Sequence, residues 1–136
     1  MPVASPEEYN AMLDEAKKSN FAFPAFNVSS SSTINAVLQG LSEAESDGII
    51  QISTGGADFF AGHTIKARSS GALAFANYVT EIAKNYPVKV ALHTDHCPKN
   101  ALPDFSHYGN SHFIRKRKRK GIENEQNTSE SVPIYI

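Results

Sequence analysis

The chain has 136 residues, 40% hydrophobic and 20% charged, with a net charge of −1; this reads as one soluble globular domain and excludes a disordered or fibrous chain. No apolar run reaches the roughly 18 residues of a membrane span, and MPVASPEEYN lacks the basic-then-apolar order of a secretory signal. The single cysteine makes no internal disulfide, which fits a cytoplasmic protein. The charge is uneven: residues 1–114 carry 7 basic and 11 acidic side chains, residues 115–136 carry 6 basic and 3 acidic, and all six basic ones form the run RKRKRK, Arg115 to Lys120. A shift of this kind marks a boundary.

Ser5-Pro6-Glu7-Glu8 has the form of a helix start, with Ser5 as cap, Pro6 in the first helical position and Glu8 closing a capping box. Tyr9, Met12, Leu13 and Ala16 follow at helical spacing, so the first helix is expected over about 6–18. Phe21-Ala22-Phe23-Pro24-Ala25-Phe26 is a short apolar strand ending at Asn27, with Pro24 weakening it. The serines of VSSSST offer N-caps to a second helix that carries Ile34, Val37, Leu38 and Leu41 and runs to about Ser46. Asp47-Gly48 turns into the strand Ile49-Ile50-Gln51-Ile52, and Ser53-Thr54-Gly55-Gly56-Ala57 closes it as a flexible polar loop. A helix over about 69–85 follows, and Val88-Lys89-Val90-Ala91-Leu92 is the next strand, running into His93.

Strands alternating with helices imply an α/β fold with parallel pairing and right-handed crossovers. Each strand ends in polar residues: Asn27 after the first, Ser53 after the second, and His93, Asp95 and His96 after the third. In parallel α/β architectures these ends share one face, where ligands bind. Periodicity alone does not choose between a barrel and an open sheet.

The motif LHTDHC, Leu92 to Cys97, holds two histidines, a carboxylate and the lone cysteine. His93 and Asp95 share a strand face, and His96 just beyond is free to turn to the same mouth. Metal ligation or acid–base work is one reading; hydrogen bonding that merely ends a strand is the other. Cys97 reads better as a small apolar residue than as a nucleophile. STGGA can cradle an anion through backbone N–H groups, but it matches neither phosphate-loop fingerprint, and a plain loop is the simpler reading. RKRKRK has no interleaved aromatics and reads as a solvated tail rather than a nucleic-acid interface.

FPAFN, SDGIIQISTGGADFFAG and YPVKVALHTDHCPK, in this order, resemble the class II fructose-bisphosphate aldolases, over about Met1 to Asp104. The resemblance implies a TIM (β/α)8 barrel, a zinc cofactor, a homodimer, and reversible cleavage of fructose 1,6-bisphosphate to dihydroxyacetone phosphate and glyceraldehyde 3-phosphate in glycolysis and gluconeogenesis. It assigns proton exchange at the C4 hydroxyl to Asp95, zinc ligation to His96, and substrate contact to Asn27 and Ser53. It gives no catalytic role to His93 or Cys97. Zinc would act as a Lewis acid on the ketone-side oxygens, and Asn27 would donate to the developing enediolate.

A full barrel needs about 250 residues, so this chain supplies only its N-terminal part, about three parallel strands with covering helices. The family's other two zinc histidines, its second acid–base carboxylate and most of its phosphate loops come from later strands. His107 and His112 sit in no family motif. Beyond about 105 the helical stripe, the charge sign and the family likeness all stop, and no strand pattern returns before VPIYI. The expected division is residues 1–105 as a partial barrel and residues 106–136 as a non-homologous basic and polar tail without fixed structure. The expected function is that of a truncated aldolase with negligible activity alone. The alternatives are a tagatose-bisphosphate aldolase of the same family, a non-enzymatic product whose basic tail binds an acidic partner, and a fragment that associates with a complete aldolase.

Overall fold

The computed structural model describes residues 3–101 and, in backbone alone, Ile114–Arg115 and Ile134–Tyr135. The first helix, α1 (Pro6–Lys18), starts as its sequence dictates. The Ser5 amide donates to Glu8 Oε2 at 2.8 Å, and the Glu8 amide donates to Ser5 Oγ at 3.2 Å, so two of the orphan donors at this helix start are satisfied. The other Glu8 oxygen accepts from Lys89 Nζ at 2.7 Å, which ties α1 to the start of a strand eighty-one positions away. Hydrogen bonds from Lys89 and from the Ser5 amide hold the Glu8 carboxyl below the usual carboxylate range.

Strand β1 (Ala25–Asn27) is shorter than the apolar run predicts. Pro24 has no N–H to give to a ladder, and it enters the sheet only through its carbonyl, which accepts from the Ile49 amide at 2.8 Å. Helix α2 (Ser31–Glu43) is capped by Ser30 and buries Ile34, Leu38 and Leu41. It stops earlier than expected because Glu45 turns into the left-handed region, at φ 50°. Strand β2 (Gly48–Ser53) follows.

The next segment corrects the sequence reading. STGGA is not a loop: helix α3 (Thr54–Phe60) begins directly after β2, with Ser53 as its N-cap. The Ser53 hydroxyl accepts from the Gly56 amide at 3.0 Å, and this local bond outweighs the weak helix propensity of two glycines. Helix α4 (Arg68–Ala83) packs against α3, and β3 (Val90–Asp95) closes the described α/β unit. The motif Leu92–Asp95 lies within this strand.

Strands β1, β2 and β3 pair in parallel, with Asn27 beside Gln51, Gln51 beside His93, and Ser53 beside Asp95. The expected three-stranded parallel core is therefore present. Two further strands of two residues each, β4 (Ile114–Arg115) and β5 (Ile134–Tyr135), extend the sheet in the order β1-β2-β3-β5-β4. The second of them falls in VPIYI; the rest of the segment expected as a tail lies outside the described residues.

One face of the sheet packs on helices. Ile50, Ile52, Val90 and Leu92 join Ile34, Leu38, Phe75 and Val79 in a single buried cluster, each large side chain contributing about 1.5–3 kcal/mol of transfer free energy. On the opposite face α1 covers only the beginning of the strands: Met12 and Ala4 are buried against Ala91, with Tyr9, Phe23 and Ile49 around them. The later positions on that face are polar.

Gly71 sets how closely α4 meets α3. A Cβ at this position would sit 1.9 Å from the Ala57 carbonyl oxygen, whereas one at Gly40 in α2 would meet nothing within 4 Å. Gly71→Ala is expected to destabilise the chain by about 1–3 kcal/mol or more, because backbone must move, and Gly40→Ala to stabilise it by about 0.8–1 kcal/mol through helix propensity. Urea unfolding midpoints check both; equal effects at the two positions would contradict this packing.

Candidate active site at the strand ends

Side-chain alternation puts Gln51, Ser53, His93 and Asp95 on one face of β2 and β3, opposite the helix-packed Ile50, Ile52 and Leu92. The register then stacks this face in tiers. Ile49 and Ala91 form the lowest, under α1; Asn27, Gln51 and His93 form the next; Ser53 and Asp95 lie above. Polar residues sixty-eight positions apart meet here: the Asn27 amide nitrogen donates to Asp95 Oδ2 at 2.9 Å.

Each candidate residue has its own environment. Asp95 is three-quarters buried, and His96 Nε2 lies 3.6 Å from its second oxygen, beyond hydrogen-bonding distance. His96 itself follows the strand with φ 46°, a left-handed conformation uncommon outside glycine, and its side chain is 96% exposed. The turn leaves the imidazole in solvent while its Nε2 stays near the Asp95 carboxylate. Ser53 has a structural task, since its hydroxyl caps α3. Cys97 is half-buried and packs against the apolar cluster, in line with its reading as a small apolar residue.

His93 is half-buried between the buried Leu92 and Thr94. Its Nδ1 is shielded and has no hydrogen-bond partner among the described residues. Burial lowers its pKa, and the nearby Asp95 carboxylate offsets part of that shift. A neutral ring is thus favoured beside a carboxylate that already accepts from Asn27.

Gln51 is the residue that sequence reasoning passed over. It sits between Asn27 and His93 in the register. The available signal was a lone polar side chain in the run Ile49-Ile50-Gln51-Ile52, at the same parity as Ser53. Lys66 and Arg68 do not join the group as described: Arg68 makes an ion pair with Asp58 at 2.9 Å, fastening α4 to α3, and Lys66 lies in the exposed loop before α4.

A catalytic zinc takes three protein ligands as a rule. Among the described residues no group of three His, Cys, Asp or Glu side chains converges as a metal site. These residues therefore do not by themselves make a zinc centre; His107 and His112 lie outside the described residues. No helix among the described residues is long and apolar enough to cross a membrane.

A parallel β-α-β unit with its polar residues gathered at the carboxyl ends of three strands is shared by (β/α)-barrels and open doubly wound sheets, and both bind ligands at that face. The comparisons narrow the class. The family described as fructose-bisphosphate aldolase class-II matches residues 7–132. A fructose-bisphosphate aldolase of Streptomyces galbus is 58% identical over 105 residues, covering 77% of this chain and 31% of that protein. One of Corynebacterium glutamicum is also 58% identical over 105 residues, covering 77% and 30%. The crystal structure of a fructose-bisphosphate aldolase from Campylobacter jejuni superposes with a TM-score of 0.75 at 40% identity, over 81% of this chain and 32% of that one. The chain belongs to the class II fructose-bisphosphate aldolase family, and it spans about 30% of the length of the curated relatives it matches.

The His93 environment gives a pH dependence whose sign is fixed. Its folded-state pKa lies below the ordinary value, so the unfolded chain takes up a proton first as pH falls. Stability is unaffected above about pH 6.5, declines as pH drops from there, and levels off below the folded pKa. His93→Gln is expected to flatten that part of the urea-midpoint profile. An unchanged slope in the variant would place the proton uptake elsewhere.

Proposed function

We propose that this chain carries one corner of a class II aldolase active site, for reversible cleavage of fructose 1,6-bisphosphate. The observation that supports the reading is the Asn27–Asp95 hydrogen bond across the strand ends, in a chain of this family. Asp95 takes the C4 hydroxyl proton as the C3–C4 bond breaks, and returns it in the condensation direction. A carboxylate can do this when it is fixed and partly withdrawn from water, and Asn27 holds one of its oxygens. The electron pair released to C3 forms an enediolate, which needs hydrogen-bond donors placed before the charge develops. Asn27 and Ser53 face the substrate, although the Ser53 hydroxyl also caps α3.

His96 supplies one ligand to the zinc that the family resemblance implies, and its exposure on a left-handed turn leaves the ring accessible from the mouth. The remaining ligands come from outside the described residues. Dimerisation and a cytoplasmic location follow from the same resemblance, with a ketose bisphosphate and its triose phosphates as the molecules bound. Tagatose bisphosphate is the alternative substrate within the family. Residues 1–105 carry the barrel elements with the site residues, and residues 106–136 carry the basic run within a segment that the family match overlaps to residue 132.

Two measurements test the reading. The 136-residue chain alone, supplied with zinc, is expected to release no triose phosphate from fructose 1,6-bisphosphate. A chimera in which residues 1–105 replace the matching segment of the Streptomyces galbus relative is expected to be active. In that chimera Asp95→Asn is expected to lower kcat by about 10²–10⁴-fold, the usual worth of a positioned acid or base. A folded but inactive chimera, or an Asp95→Asn chimera with full kcat, would overturn the assignment.

A further inference from the structure

The outer edge of β3, the side turned away from β2, is where a barrel adds its next strand in chain order. Backbone parity identifies the groups on that edge, because successive residues of a parallel strand address opposite neighbours. The Gly48 amide donates to the Lys89 carbonyl at 3.2 Å, so Lys89, Ala91 and His93 face β2. Val90 and Leu92 therefore turn their N–H and C=O groups outward.

Both outward positions are met by sequence-distant parts of the same chain. Val3 bridges Val90 in parallel, and the Ala4 amide donates to the Val90 carbonyl at 2.8 Å. Further along the edge, Leu92 lies beside Ile134 and His93 beside Tyr135 in a parallel ladder with β5. Strand β4 then covers the far side of β5, with Ile114 beside Ile134 and Arg115 beside Tyr135.

This order departs from barrel winding. In a (β/α)8 barrel each strand pairs with those before and after it in sequence, as β1, β2 and β3 do here. Beyond β3 the order is β5-β4: the later strand lies against β3 and the earlier one is left outside. With β5 in that place the outer edge of β3 is occupied, and ring closure through it is blocked. The strand that ends the sheet also opens the run RKRKRK, of which Arg115 is the first residue. Positive charge on a terminal strand opposes pairing with a further one.

We infer that β4 and β5 form an edge cap. The C-terminal part of this chain occupies the side of β3 where the next barrel strand belongs, and it holds the chain as an open, self-terminated sheet. The inference stands on strand order and register and does not depend on the aldolase reading. Among the described residues, β5 is the element that covers the outward groups of Leu92.

Amide exchange on the isotope-labelled 136-residue chain, compared with the same chain lacking residues 133–136, reads the cap. The deletion is expected to speed exchange at the Leu92 amide about tenfold or more, as loss of a backbone hydrogen bond does. Ile50 and Ile52, whose N–H groups face β3 from the β2 side, are expected to keep their protection. In the intact chain a backbone NOE from β3 to Ile134 or Tyr135 is also expected, and this reading does not require the shortened chain to fold. A Leu92 amide that exchanges fast in the intact chain beside slow Ile50 and Ile52 would overturn the cap. So would equal Leu92 protection with and without residues 133–136, or an NOE from β3 to Ile114 in place of β5, which would restore barrel order.

Discussion

The parallel pairing of β2 on both sides is the constraint on which everything else hangs. With β1 and β3 running the same way as β2, the carboxyl ends of three strands, far apart in sequence, must emerge at one face. A single residue of slip would send Ser53 and Asp95 to the helix side and bring Ile52 to the mouth. The buried row of Ile50, Ile52, Val90 and Leu92 under α2 and α4 prevents it. Register here is held by apolar burial on one face, and chemistry is displayed on the other. The Asn27–Asp95 bond is a consequence of that division rather than its cause.

The opposite face is unusual for an isolated sheet. Its first tier is covered by α1, held down by the Glu8–Lys89 ion pair and by Met12 over Ala91. Its upper tiers carry Gln51, His93, Ser53 and Asp95, which a helix-packed sheet would fill with apolar side chains. The buried Nδ1 of His93, which has no hydrogen-bond partner among the described residues, is a polar group placed on an inner surface. Such a surface makes sense as part of a barrel interior near its mouth, where substrate and neighbouring strands share the polar groups.

Much of this was legible in the sequence, for physical reasons. The capping box at Ser5, the 3.6-residue stripes of α2 and α4, and the β-branched run of β2 each state their structure locally. The strand ends at Asn27, Ser53 and Asp95 could be placed on one face because parallel topology follows from strand–helix alternation. Other features depend on tertiary geometry. The helix at Thr54–Phe60 was hidden because its glycines look like a loop, while its cap is the same Ser53 that ends the strand. Gln51 was missed because it reads as an interruption in an apolar strand until the register puts it between Asn27 and His93. The left-handed turn at His96 leaves no mark in composition at all.

Amide hydrogen exchange on the 136-residue chain tests the central claim, that β2 is clamped in parallel between β1 and β3 with β1 open. The account predicts slow exchange at Ile50 and Ile52 of β2, at Ala91 and His93 of β3, and at Val28, with fast exchange at Ala25 and Asn27. Uniformly fast exchange across β2, or protection at Ala25 and Asn27 equal to that at Val28, would contradict it.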